Sequence, residues 1–102
     1  MQGQATIVAY RRPLGYQQIS AATLAASTGF TLPATIAGLP VAYAVVQCNG
    51  GNVRWRDDGT APTSSVGMTL PAGSELDYSG EMGAIRFILS TGAPILDVMY
   101  YA

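Results

Sequence analysis

Apolar and polar residues alternate along most of this chain with a period of two, the signature of half-buried β-strands. The alternation runs through residues 5–11, 14–20, 41–48, 53–57, 66–70, 74–78, 84–90 and 95–101. Turn chemistry falls between these segments: Arg12-Pro13, Thr28-Gly29, Gly38-Leu39-Pro40, Asn49-Gly50-Gly51-Asn52, Asp58-Gly59, Pro71-Ala72-Gly73, Gly80 and Thr91-Gly92-Ala93-Pro94. Glycine and proline are spread so evenly that only Ser20–Ser27 could hold a helix. That window starts on a Ser N-cap but carries one large apolar residue, Leu24, and is read as strand or irregular structure. The pattern predicts an all-β chain: one small β-sandwich or jelly roll of about eight short antiparallel strands. Residues 1–102 are read as a single domain, with 1–12 as an extended N-terminal arm or strand.

Two hairpins are predicted from register. Asn49-Gly50-Gly51-Asn52 tolerates positive φ and reads as a tight turn. Pairing Cys48 with Val53 across it places Ala44, Val46, Cys48, Val53 and Trp55 on one face. Tyr43, Val45, Gln47, Arg54 and Arg56 take the other. A second turn at 91–94 sets Ile85, Phe87, Leu89, Leu96, Val98 and Tyr100 on one face. Arg86, Ile88, Asp97, Met99 and Tyr101 take the other, with Arg86 and Asp97 diagonal to each other. A one-residue slip would scramble both faces.

Composition changes the picture of the second faces. Hydrophobic residues make up 49% of the chain and charged residues only 11%, with a net charge of −1. An ordinary soluble domain carries about 25% charged residues. Part of the surface must therefore be neutral or apolar, and contiguous apolar surface marks a partner site. Tyr, Met and Arg are enriched at protein interfaces and Lys is depleted; this chain has no Lys. Tyr43, Arg54, Arg56, Met99 and Tyr101 are accordingly the candidate partner interface.

The same composition excludes most catalysis. With no His there is no Ser-His-Asp or Cys-His machinery and no imidazole metal site. With no Lys there is no Schiff-base nucleophile. A single cysteine excludes an internal disulfide and a thiolate zinc site. No cofactor or metal is expected. The acidic residues Asp57-Asp58-Gly59 sit where a turn needs them, and Arg56, Asp57 and Asp58 are read as a structural pairing that fixes the loop. Glu75 and Asp77 read as the solvent side of an edge strand, and Trp55 and Cys48 as core. Arg54 and Arg56 are cancelled by Asp57 and Asp58, so no basic field remains for nucleic acid. The uncharged stretch 13–53 is broken by Gly38 and Pro40 and dotted with Gln, Ser and Thr, so no membrane span is expected. No export signal is read in Met1-Gln2-Gly3-Gln4.

The stretch Val53-Arg54-Trp55-Arg56-Asp57-Asp58-Gly59, followed by Pro62-Thr63 and Gly67, resembles a group of small virion proteins of tailed bacteriophages, which carry Trp or Tyr at the position of Trp55. The resemblance continues through Leu70-Pro71-Ala72-Gly73, Ile85-Arg86-Phe87-Ile88 and the closing Val98-Met99-Tyr100-Tyr101-Ala102. It covers residues 40–102; the opening shares Tyr16-Gln17-Gln18-Ile19, and the neutral segment 30–40 departs from the pattern. What it implies is a β-sandwich virion component, a capsid decoration or minor capsid protein, made in the bacterial host cytoplasm. Its implied partners are itself, as a homo-oligomer with a trimer favoured, and the major capsid protein or another virion protein. The alternative is a tail-associated or host-surface glycan-binding module, which would expose aromatic residues in a cleft.

Overall fold

The computed structural model describes residues 11–34 and 38–102. They form one antiparallel sheet of five strands: β1 (Pro13–Ile19), β2 (Tyr43–Arg56), β3 (Met68–Leu70), β4 (Glu75–Tyr78) and β5 (Arg86–Tyr101). The order is β1-β5-β2-β3, with β4 also paired to β2. The all-β class holds. The strand predicted at 5–11 and the arm predicted at 1–12 lie outside the described residues, apart from Arg11 and Arg12.

Neither predicted hairpin forms, which merges four of the eight predicted segments into two strands; segment 5–11 lies almost wholly outside the described residues. Segments 41–48 and 53–57 run on as one strand, β2, and segments 84–90 and 95–101 as another, β5. The two long strands pair with each other, from Tyr43↔Tyr101 to Arg56↔Arg86. Cys48 therefore faces Leu96 rather than Val53, and Val53 lies between Leu89 and Leu70. At the predicted turns the ladder is bulged, with register shifts between Asn49 and Gly51 and between Asn52 and Val53. Gly50 and Gly92 adopt positive φ there, 80° and 74°.

The predicted faces survive although the predicted pairing does not. Ala44, Val46, Cys48 and Val53 are buried on β2, and Phe87, Leu96, Val98 and Tyr100 on β5. The buried positions change from even to odd across the two glycines of β2, and from odd to even across Gly92 of β5. A hairpin and a paired bulge produce the same change of parity, so the faces alone cannot tell them apart.

Among the described residues no second sheet closes the inner face. It is covered by α1 (Ala21–Leu24), by Phe30 and by the loop before β5. The window read as strand or irregular is a single helical turn. The Ser20 hydroxyl accepts from the Thr23 amide, the Ser20 carbonyl accepts from Leu24, and Leu24 is fully buried. Phe30 stands edge-on to Tyr100, 5.3 Å between ring centres, and packs against Phe87 at 5.4 Å. Met82 and Ile85 complete a continuous core with Ile19, Leu70 and Tyr78. The Tyr100 hydroxyl is satisfied by Gln17, whose side-chain oxygen also accepts from the Thr31 amide. The outer face is open: Tyr16 is 59% exposed, and Gln47 and Glu75 are exposed.

Candidate interaction surfaces

Register builds the open face row by row, because residues paired across antiparallel strands share a face. One row runs Tyr16, Met99, Val45, Asp77 across β1, β5, β2 and β4. The next runs Gln18, Asp97, Gln47, Glu75. Tyr43 and Tyr101 close the end, with ring centres 6.0 Å apart, and the Arg11 guanidinium lies 3.7 Å above the Tyr43 ring. Tyr43, Met99 and Tyr101 are thus neighbours, as one patch requires.

A cup of about 260 Å³ opens in this face, lined by Tyr16, Val45, Gln47, Asp97, Met99 and Tyr101. Asp97 is its only charged group. Its Oδ1 accepts from the Tyr16 hydroxyl at 2.6 Å and from Gln18 Nε2 at 3.0 Å. Its Oδ2 accepts only a long bond from Asn49 Nδ2, 3.4 Å. These bonds, that from Tyr16 foremost, hold the carboxyl below its usual pKa. The same contact raises the Tyr16 phenol. The Tyr43 phenol is raised as well, by desolvation first and then by Asp77 and Glu75, against the opposing pull of Arg11. Asp97, Asp77 and Glu75 outnumber Arg11 on this face, so its net charge is negative.

Arg54 and Arg56, the other two candidate interface residues, lie beyond the glycine crossing on the far half of β2. They do not join the tyrosine patch. Arg54 makes no acid pair; its Nη1 donates to the Gly67 carbonyl at 3.0 Å and to Thr69 at 3.4 Å, and its buried Nε has no partner. Arg56 grips Asp58 with two bonds, Nε to Oδ1 at 3.0 Å and Nη2 to Oδ2 at 2.5 Å. That pair lowers the Asp58 pKa and raises that of Arg56. Asp57 turns away and accepts from the Tyr78 hydroxyl at 2.8 Å. The loop pairing read from the sequence is therefore divided: Asp58 on Arg56, Asp57 on Tyr78. Arg86, expected beside Asp97, faces Arg56 across the ladder and donates to the carbonyls of Gly83 and Ile85.

Beside this pairing is an open groove of about 460 Å³, lined by Trp55, Arg56, Asp57, Asp58, Val66, Gly67 and Met68. Trp55, read as core, is half-buried: it packs edge-on against Tyr78 at 6.3 Å, and it also lines the groove. Met68 and Val66 are 60% and 52% exposed.

Sequence reading missed Tyr16, Val45 and Asp97 as partners in one site. The alternation makes segment 14–20 a strand, but nothing local says that β1 pairs with β5, and that pairing is what sets Tyr16 and Gln18 beside Met99 and Asp97. Among the described residues no three His, Cys, Asp or Glu side chains gather as metal ligands, and no helix is long and apolar enough to cross a membrane. Cys48 is buried, and burial pushes its thiol pKa up. No protein-family model, curated protein or solved structure matches the chain.

Proposed function

We propose that this chain is a bacteriophage virion structural protein, a capsid decoration or minor capsid protein that binds the shell through many weak contacts made at once. The observation that carries this reading is the open outer face, where Tyr16, Tyr43, Val45, Met99 and Tyr101 share one side of a sheet covered among the described residues only by Arg11 at Tyr43. Aromatic and Met side chains on a rigid sheet are what a protein partner buries well. The Arg-Trp-Arg-Asp-Asp-Gly resemblance points to the same class of protein.

On this reading the tyrosine face meets the major capsid protein or another virion protein. The far half, with Arg54, Arg56 and Met68, serves contacts between copies, a trimer being the favoured assembly. The finer form of the fold, a small β-sandwich or jelly roll within this single chain, belongs to the proposal too. The protein would be made in the bacterial host cytoplasm and reside in the virion, with no enzymatic activity, cofactor, nucleic acid or membrane in its work.

The test is light scattering on the purified protein followed by sedimentation with empty capsids. A discrete oligomer that co-sediments supports the reading. A monomer that stays in the supernatant overturns it. That outcome would favour the second reading, a tail-associated or glycan-binding module, for which the supporting observation is the Trp55–Met68 groove; a glycan screen would then decide.

A further inference from the structure

The cup around Asp97 combines three features. Its walls are Tyr16, Val45, Met99 and Tyr101, which accept an aliphatic stem and a flat cation. Its only charge is a carboxylate held in place by three donors. A carboxylate has about four acceptor positions. Oδ1 fills two of them, whereas Oδ2 has one long bond and an open lone pair.

Among the described residues no basic side chain pairs with it. All five basic residues are arginines within the described residues. Arg11 lies on Tyr43, Arg54 on Gly67 and Thr69, Arg56 on Asp58, and Arg86 on two carbonyls, while Arg12 is exposed and makes no ion pair with Asp97. The one ion pair among the described residues is Arg56–Asp58.

The geometry points to an arginine side chain of a different protein as the occupant of this cup, its stem along Val45 and Met99 and its guanidinium on Asp97 Oδ2. Charge complementarity selects that occupant. The face carries Glu75, Asp77 and Asp97 against the single Arg11 at its Tyr43 end, so the same face of a second copy would bring net negative charge against net negative charge. Arginine suits the site better than lysine because its planar head both pairs with a carboxylate and stacks on tyrosine. This deepens the virion reading and rests on it only for the partner's identity.

The test is an NMR titration of the whole chain with Nα-acetyl-L-arginine methylamide, and with the citrulline analogue as its neutral isostere. The expected result is movement of the Met99 methyl and of the Gln18 and Gln47 side-chain amides. Binding should weaken about tenfold or more with the citrulline probe and in Asp97→Asn, the loss of one charged hydrogen bond. Val45→Phe, which fills the cup and keeps its charge, should abolish the response, and it serves if Asp97→Asn does not fold. Equal binding of both probes, no binding of either, or shifts centred on Trp55 would overturn the proposal. So would probe-free self-association that Asp97→Asn dissolves, which would make a second copy the occupant. Capsid co-sedimentation unaffected by Asp97→Asn would sink the cup and leave the virion reading standing. Probe binding without co-sedimentation would do the reverse.

Discussion

Gly51 and Gly92 face each other where β2 and β5 are bulged; Gly51 has no room for a side chain and Gly92 has little. A Cβ on Gly51 would stand 2.5 Å from the Thr91 carbonyl oxygen and 2.8 Å from the Ala93 amide nitrogen. On Gly92 it would meet Gly50 O and Gly51 Cα at 3.1 Å, with φ already at 74°. Asn52 secures the crossing, donating to Thr91 Oγ1 and accepting from the Ala72 amide, each at 2.9 Å.

Gly51→Ala should therefore be severe. The obstructing atoms are backbone and cannot rotate away, so a loss of about 2–4 kcal/mol is expected. Gly92→Ala should lose about 1–2 kcal/mol through its left-handed backbone. Gly83→Ala, with ordinary φ and nothing nearer than 3.9 Å, should be close to neutral. Urea unfolding of the three variants orders them.

Tyr78→Phe should destabilise more than Arg56→Ala. The Tyr78 hydroxyl joins Asp57 to the Glu81 carbonyl from a ring that is 5% exposed. Its removal should lose about 1 kcal/mol. The Arg56–Asp58 pair is solvent-screened and holds only its own loop. Thermal midpoints of the two variants make the comparison; a larger drop for Arg56→Ala would show that the loop pairing supports the whole fold.

Asp97 should make the protein acid-sensitive. Its folded pKa is below the ordinary carboxylate value, so the folded state favours the ionised form. The resulting stabilisation is full above the ordinary carboxylate range and is lost as pH falls through that range to the folded pKa. Asp97→Asn should flatten this part of the pH profile. Urea midpoints measured from neutral pH into the acid range should show wild type converging on the variant as the acid limit is approached.

Cys48 should be silent to thiol reagents in the folded protein. It is fully buried in the core, and its thiol is held protonated by that burial. Labelling should appear only with denaturant and track unfolding. Fast labelling of the native protein would mean that the crossing beside it opens, since the thiol bonds to the Gly51 carbonyl at 3.2 Å.

Met99→Glu should leave the fold intact and reduce capsid association. The side chain lies on the open face and not in the core, and another acid there extends the negative field and spoils the apolar wall. Circular dichroism with co-sedimentation separates the two effects.

The alternation of apolar and polar residues was enough to establish an all-β chain and to turn inward nine of the fourteen buried core residues, those from Ala44 to Val53 and from Ile85 to Tyr100. Burial demands it locally: Ala44, Val46 and Cys48 must face inward whatever they pair with. The choice between a tight turn and a bulged crossing at Asn49–Asn52 was beyond local reading. Two glycines permit positive φ in either case, and both outcomes reverse the parity of the strand. Long-range pairing decided it, because running β2 against β5 along its whole length satisfies the backbone of both strands in one ladder. The same pairing assembled the Asp97 cup. Tyr16 and Asp97 are 81 residues apart in the chain, and only the docking of β1 on β5 brings the phenol to the carboxylate.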